Sequence, residues 1–183
     1  MSPILGIFAS ANYPRSTNSY ESIATANGTG SSGVITFSSI PSTYQHLQLR
    51  WINKSSGSGS YNFVNFNGDT GSNYANHYLY GDGASALAGA DTTQTKINLY
   101  GSLVTSTAAS VYAAHVVDIL DYANTNKYKT LRALGGQDSN GSGVMFLSSG
   151  LWQSTAAINS VTITANTANF TSASQFALYG IKG

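Results

Sequence analysis

From Tyr20 onward, apolar and polar positions alternate in short runs separated by Gly, Asn and Ser. The clearest run is 44–53 (YQHLQLRWIN), where Leu47, Leu49 and Trp51 share one face and His46, Gln48 and Arg50 the other. A period of two is the mark of a half-buried strand. Similar runs predict strands at 20–25, 34–37, 61–66, 95–100, 110–120, 127–134, 143–152, 158–164 and 175–181. Residues 74–80 fit a strand or a short helix, and the small, polar stretch 81–91 reads as a long surface loop. The run VYAAHVVDIL at 111–120 is apolar on both faces and predicts a strand central in its sheet. About ten short strands with Gly- and Asn-rich turns and no long helix define an all-β fold, an antiparallel β-sandwich of jelly-roll-like type. No internal repeat points to a propeller or a solenoid.

The first 18 residues break this pattern. Pro3 and Pro14 disfavour helix, and no alternation marks a strand. The division predicted is an extended N-terminal docking arm at 1–18 and a sandwich domain at 19–183. Ile4, Leu5, Ile7 and Phe8 make the arm apolar, which suits burial against a partner. Ala9-Ser10-Ala11 resembles a cleavage site, but the apolar run is short and no basic residue precedes it, so an arm is expected over a signal peptide.

Composition narrows the function. Charged residues are only 8% of the chain, where about 25% is usual. Ser, Thr and Asn, about a third of the residues, must carry solubility instead. The 42% of hydrophobic residues can fill a core, and twelve Tyr at a net charge of +1 are unlike a disordered chain. Eight scattered Lys and Arg leave no footprint for nucleic acid. The densest basic group, Lys127, Lys129 and Arg132, is balanced by Asp118, Asp121 and Asp138. No cysteine is present, which excludes disulfides and thiol chemistry, and no apolar run reaches the length of a membrane span.

No catalytic pattern emerges. His46, His77 and His115 lack metal-ligand spacing, and no Gly-x-Ser-x-Gly elbow occurs. The loops at 65–69 and 138–141 each offer a single Asp, too few for calcium and sufficient for a turn. Asp118 and Asp121, followed by Lys127 and Lys129, fit a hairpin with opposite charges at its strand ends better than a glycosidase acid pair. No enzyme, metal or cofactor is expected. Tyr74, Tyr78, Tyr80 and Tyr122, read as loop aromatics, are the candidate contacts for a glycan.

Several segments resemble small virion structural proteins of tailed bacteriophages of aquatic environments. They are the ILGIFASA arm, 20–25 (YESIAT), 37–50 (FSSIPSTYQHLQLR), 118–130 (DILDYANTNKYKT), 150–154 (GLWQS) and the ending 176–183 (FALYGIKG). The resemblance implies a jelly-roll-like subunit, trimeric, placed on the virion. The expected function is capsid decoration (a cement protein), with the major capsid protein or other virion subunits as partners. The alternative is a tail-fibre or receptor-binding subunit that recognises host surface glycans. Neither nucleic acid nor membrane is an expected partner.

Overall fold

A computed structural model describes residues 19–57, 61–100 and 110–183, and the docking residues Ile4, Leu5, Ile7 and Phe8 lie outside them. The described chain forms strands only: β1 (Tyr20–Asn27), β2 (Val34–Phe37), β3 (His46–Asn53), β4 (Asn62–Phe66), β5 (Tyr74–Gly81), β6 (Ala86–Gln94), β7 (Ile97–Leu99), β8 (Ala113–Leu120), β9 (Lys129–Asp138), β10 (Gly143–Trp152), β11 (Val161–Ala165) and β12 (Gln175–Ile181). They build two antiparallel sheets. The large one runs β1-β12-β3-β8-β9-β10-β5-β6 and the small one β2-β11-β4-β7.

The connectivity is that of a jelly roll with an enlarged sheet. Successive strands from β1 to β5 alternate between the sheets, as do those from β6 to β8 and from β10 to β12. Setting aside the β5-β6 and β9-β10 hairpins, which extend one edge of the large sheet, leaves β1-β12-β3-β8 over β2-β11-β4-β7, the eight strands of a jelly roll. The fold is an all-β antiparallel sandwich, as the alternation predicts.

Local chemistry explains the turns. The β9–β10 hairpin closes on Asn140-Gly141, both at positive φ (57° and 104°), as tight two-residue hairpin loops demand. Asn67 and Gly68 take the same left-handed conformation after β4. The Asn67 side chain then accepts the N–H groups of Asn159 and Ser160 and donates to Ala157 O, tying the β10–β11 connection to the small sheet.

The core lies between the sheets. Leu47, Leu49 and Trp51 of β3 and Val117 and Ile119 of β8 meet Val64, Phe66, Val161 and Ile163 of the small sheet, all buried. Several inward positions are Gly because a neighbouring side chain already fills the space. A Cβ on Gly135 would stand 2.6 Å from the His115 ring and 2.7 Å from Phe146, and one on Gly180 would stand 2.3 Å from the Tyr44 ring. His115 is itself buried, stacked on Trp51 with ring centres 4.7 Å apart.

One sequence expectation is corrected and one open choice is resolved. Residues 81–91 are not a surface loop, because Ala86–Gln94 forms the edge strand β6 along β5. Its small residues follow from that pairing: a Cβ on Gly89 would stand 2.4 Å from the Tyr78 hydroxyl, so the ring lies across the bare backbone. Residues 74–80 are strand rather than helix.

Candidate interaction surface

The four candidate glycan tyrosines separate in the structure. Tyr74 and Tyr122 are fully buried, so neither can stack on a sugar. The Tyr74 hydroxyl accepts the N–H of Phe66 at 3.1 Å and reaches Asp69 O at 3.3 Å. The Tyr122 hydroxyl donates to Pro41 O and accepts the Tyr44 N–H. Both rings point inward because a tyrosine can bury its face once its hydroxyl has a backbone partner. Tyr78 and Tyr80 are half-buried on the inward side of β5, their ring centres 6.1 Å apart, and Tyr78 packs on Tyr100 at 4.1 Å. The Asp91 carboxylate collects Asn76, Asn98 and the Tyr100 hydroxyl beside them. This group is closed on itself.

Burial, the largest cause in each case, pushes the phenols of Tyr74 and Tyr100 up to about 12. A raised folded-state pKa contributes stability that is complete below the unfolded value of about 10 and is lost as pH climbs through 12. Tyr74→Phe should therefore flatten the alkaline fall in stability. The check is urea unfolding of both proteins at pH values between about 10 and 12.

The remaining candidate chemistry is structural. His46 Nδ1 accepts the Asp121 N–H at 3.0 Å, and Asp121 pairs with Lys127, so that hairpin end carries the opposite charges expected. Lys129, expected among these surface charges, is instead fully buried. Asp118 accepts the Gln48 amide at 2.7 Å and stands opposite Arg132 in the β8–β9 ladder. Asp138 accepts the Asn140 N–H, and Asp69 accepts three donors, so each loop carboxylate organises its own turn. Among the described residues no three His, Asp or Glu are grouped as metal ligands.

What the large sheet does present is an exposed apolar row on its outer face. The pairing registers place Leu79 (β5), Leu147 (β10), Leu134 (β9) and Val116 (β8) side by side across four neighbouring strands. The three leucines are 51%, 51% and 52% exposed. Two residues along each strand a second row runs Gly81, Met145, Gly136 and Ala114, continuing to Ile52 of β3. Its small residues floor two adjoining hollows of 670 Å³ and 690 Å³, with Leu134 on the shared wall. Polar groups border the apolar rows. Arg50 lies between the rings of Tyr20 and Tyr179, 5.5 Å from each, with its Nε on Gln48.

Neither row belongs to the sites expected from sequence, yet a signal was there. The run at 111–120 is apolar on both faces, a pattern of strands covered on both sides. In the structure β8 is central, between β3 and β9, but only one of its faces is covered by the described residues.

By its architecture the protein belongs to the class of antiparallel jelly-roll-like sandwiches. No protein-family model matches the sequence. No curated protein matches it. Among solved structures it is similar to the galectin LEC-6 of Caenorhabditis elegans, at 6% identity and a TM-score of 0.37, over 87% of this chain and 96% of that one.

Proposed function

We propose that the protein is a non-enzymatic structural subunit of a tailed-phage virion, a decoration protein of the head shell that works by protein–protein contact. The observation that carries this reading is the exposed apolar row Leu79–Leu147–Leu134–Val116, on a chain with 8% charged residues. An apolar patch of this kind on a folded domain marks a contact surface. A rigid sheet presents it without the entropy cost of ordering a loop.

The glycan-binding alternative is weaker, since two of its four tyrosines are core residues and the other two pack on each other and on Tyr100. The test is binding of the purified chain to undecorated particles of its phage, read by sedimentation. Leu147→Glu should lower occupancy at least about tenfold, because a carboxylate in an apolar contact must be desolvated. Absence of particle binding by the unmodified chain, or specific capture on a glycan array, would overturn the proposal.

A further inference from the structure

The outer face of β9 reads Arg132, Leu134, Gly136, Asp138 at successive outward positions: a cation, a large apolar residue, a bare backbone, an anion. Reversed, the series is its own complement. Size against size, Leu134 fits over Gly136. Charge against charge, Arg132 meets Asp138. Both charged residues are exposed. Two of the three other strands repeat the size pattern about the same line, and β10 sets two large side chains across it. Leu79 and Gly81 alternate on β5, and Val116 and Ala114 on β8. On β10 the pair is Leu147 and the pliable Met145, which is 69% exposed. Gly136 is bare by necessity, since its Cβ would lie 2.3 Å from the Val144 carbonyl oxygen.

From this we infer that the outer face of the large sheet pairs with the same face of a second copy of this chain, about a two-fold axis that crosses β5, β10, β9 and β8 between the two rows. The axis lies in the contact plane, perpendicular to the strands. Rotation about it keeps each strand opposite its own copy and reverses its direction. The leucine ridge of each copy then fills the hollow of the other. Arg132 of each faces Asp138 of its partner, and both contacts form twice. Such self-complementarity is what an isologous interface requires. It is also compatible with the near-aligned packing of sheets face to face.

The area is adequate. The exposed parts of Leu79, Val116, Leu134, Met145, Leu147 and Ile52 amount to on the order of 600 Å² per copy, or about 1,200 Å² in the pair, the lower bound of specific interfaces. An unrelated partner would need only an apolar surface. It would have no reason to match an order of large, small, positive and negative that mirrors itself. The inference rests on reading this face as a contact surface; a row covered by the second copy is not also free to meet the shell, so the two occupants compete for it, and the pairing is two-fold rather than the three-fold implied by the phage resemblance.

The experiment is sedimentation equilibrium of the full chain over a wide concentration range. A monomer–dimer equilibrium is expected. Leu134→Glu should leave monomer where the unmodified chain is dimer, with an unchanged circular dichroism spectrum. Arg132→Glu and Asp138→Arg should each raise the dissociation constant about tenfold or more. The double variant R132E/D138R, which restores opposite charges across the two-fold, should recover most of that loss. A monomer at every concentration overturns the inference, as does a dimer or trimer indifferent to Leu134→Glu, or a double variant as weak as the sum of its parts. Dimerisation lost on deleting residues 1–18 and kept by Leu134→Glu would assign the contact to the arm and overturn it too. Monomers that still bind particles through Leu147 would end this inference and leave the proposed function standing, whereas dimers without particle binding would do the reverse.

Discussion

Replacing Lys129 by methionine should lower the stability of the protein by about 3 kcal/mol, although no acid pairs with it among the described residues. The side chain is fully buried, and its ammonium donates all three hydrogens to backbone carbonyls: Asn124 at 2.5 Å, Lys127 at 2.9 Å and Thr155 at 3.2 Å. One cation thus fastens the β8–β9 connection to the β10–β11 connection. Two effects oppose each other in the variant. Methionine keeps most of the volume and removes the cost of holding a charge away from water, the cost that draws the Lys129 pKa below its usual value. Against that, three carbonyls lose their donor at about 1–3 kcal/mol each where water cannot replace it. Lys127 and Thr155 are exposed residues whose carbonyls recover part of their hydration, which keeps the net loss near the low end of the sum.

The pH dependence carries a distinct sign. A lysine whose folded pKa is depressed binds fewer protons folded than unfolded as pH rises toward about 10.5, so its contribution grows with pH and falls back as pH drops through the folded value. The stability gap between the unmodified chain and Lys129→Met should therefore widen slightly on the alkaline side. Denaturant midpoints at neutral pH and near pH 10 read both the size and the sign. A variant as stable as the parent would show that the three carbonyls find water at no cost.

Lys129 also illustrates what the sequence could not disclose. Its alternation partners Leu131 and Ala133 are buried, so period-two reading places it inward. Its chemical type argues the opposite, and only the convergence of two distant loops on one ammonium resolves the conflict. Where both signals agreed, the elements were legible. β10 and β12 occupy the expected spans 143–152 and 175–181, and the Leu47, Leu49 and Trp51 face of β3 is the buried one. β6 was invisible because an edge strand with little burial carries no apolar alternation, and its Gly89 exists to admit a ring from β5. Tyr74 and Tyr122 read as loop aromatics because Asn and other small or polar residues flank them. Their burial depends on backbone groups of Phe66, Asp69 and Pro41, remote contacts that a linear pattern does not encode. The contact face was half legible. The doubly apolar run of β8 marks a strand central in its sheet, while the alignment of Leu79, Leu147 and Leu134 into one row depends on pairing registers.

The second large effect is expected at Asp69. Its Oδ1 accepts the Gly71 N–H at 2.8 Å, and its Oδ2 accepts the Asn73 amide at 2.9 Å and the Trp152 indole N–H at 2.7 Å. Trp152 is buried, stacked on Tyr74 with ring centres 6.3 Å apart and packed against Phe66 at 5.6 Å. The carboxylate therefore joins the turn after β4 to the end of β10. Asp69→Ala should cost about 2–3 kcal/mol, mostly from the buried indole N–H left without an acceptor. Asp69→Asn should not rescue it, because one oxygen becomes an NH₂ that faces either the Gly71 N–H or the Asn73 and Trp152 donors. The hydrogen bonds from Asn73, Gly71 and Trp152, in that order, hold the Asp69 pKa below the usual carboxylate value. A depressed folded pKa gives stability that is complete above the unfolded value of about 4 and is lost as pH falls through the folded one. The gap between the parent and Asp69→Asn should accordingly be constant from neutral pH down to about 4 and close below it. Urea unfolding followed by the fluorescence of the two buried tryptophans, Trp51 and Trp152, measures that gap. A gap unchanged in strong acid would mean that the charge on Asp69 contributes nothing to joining the two elements.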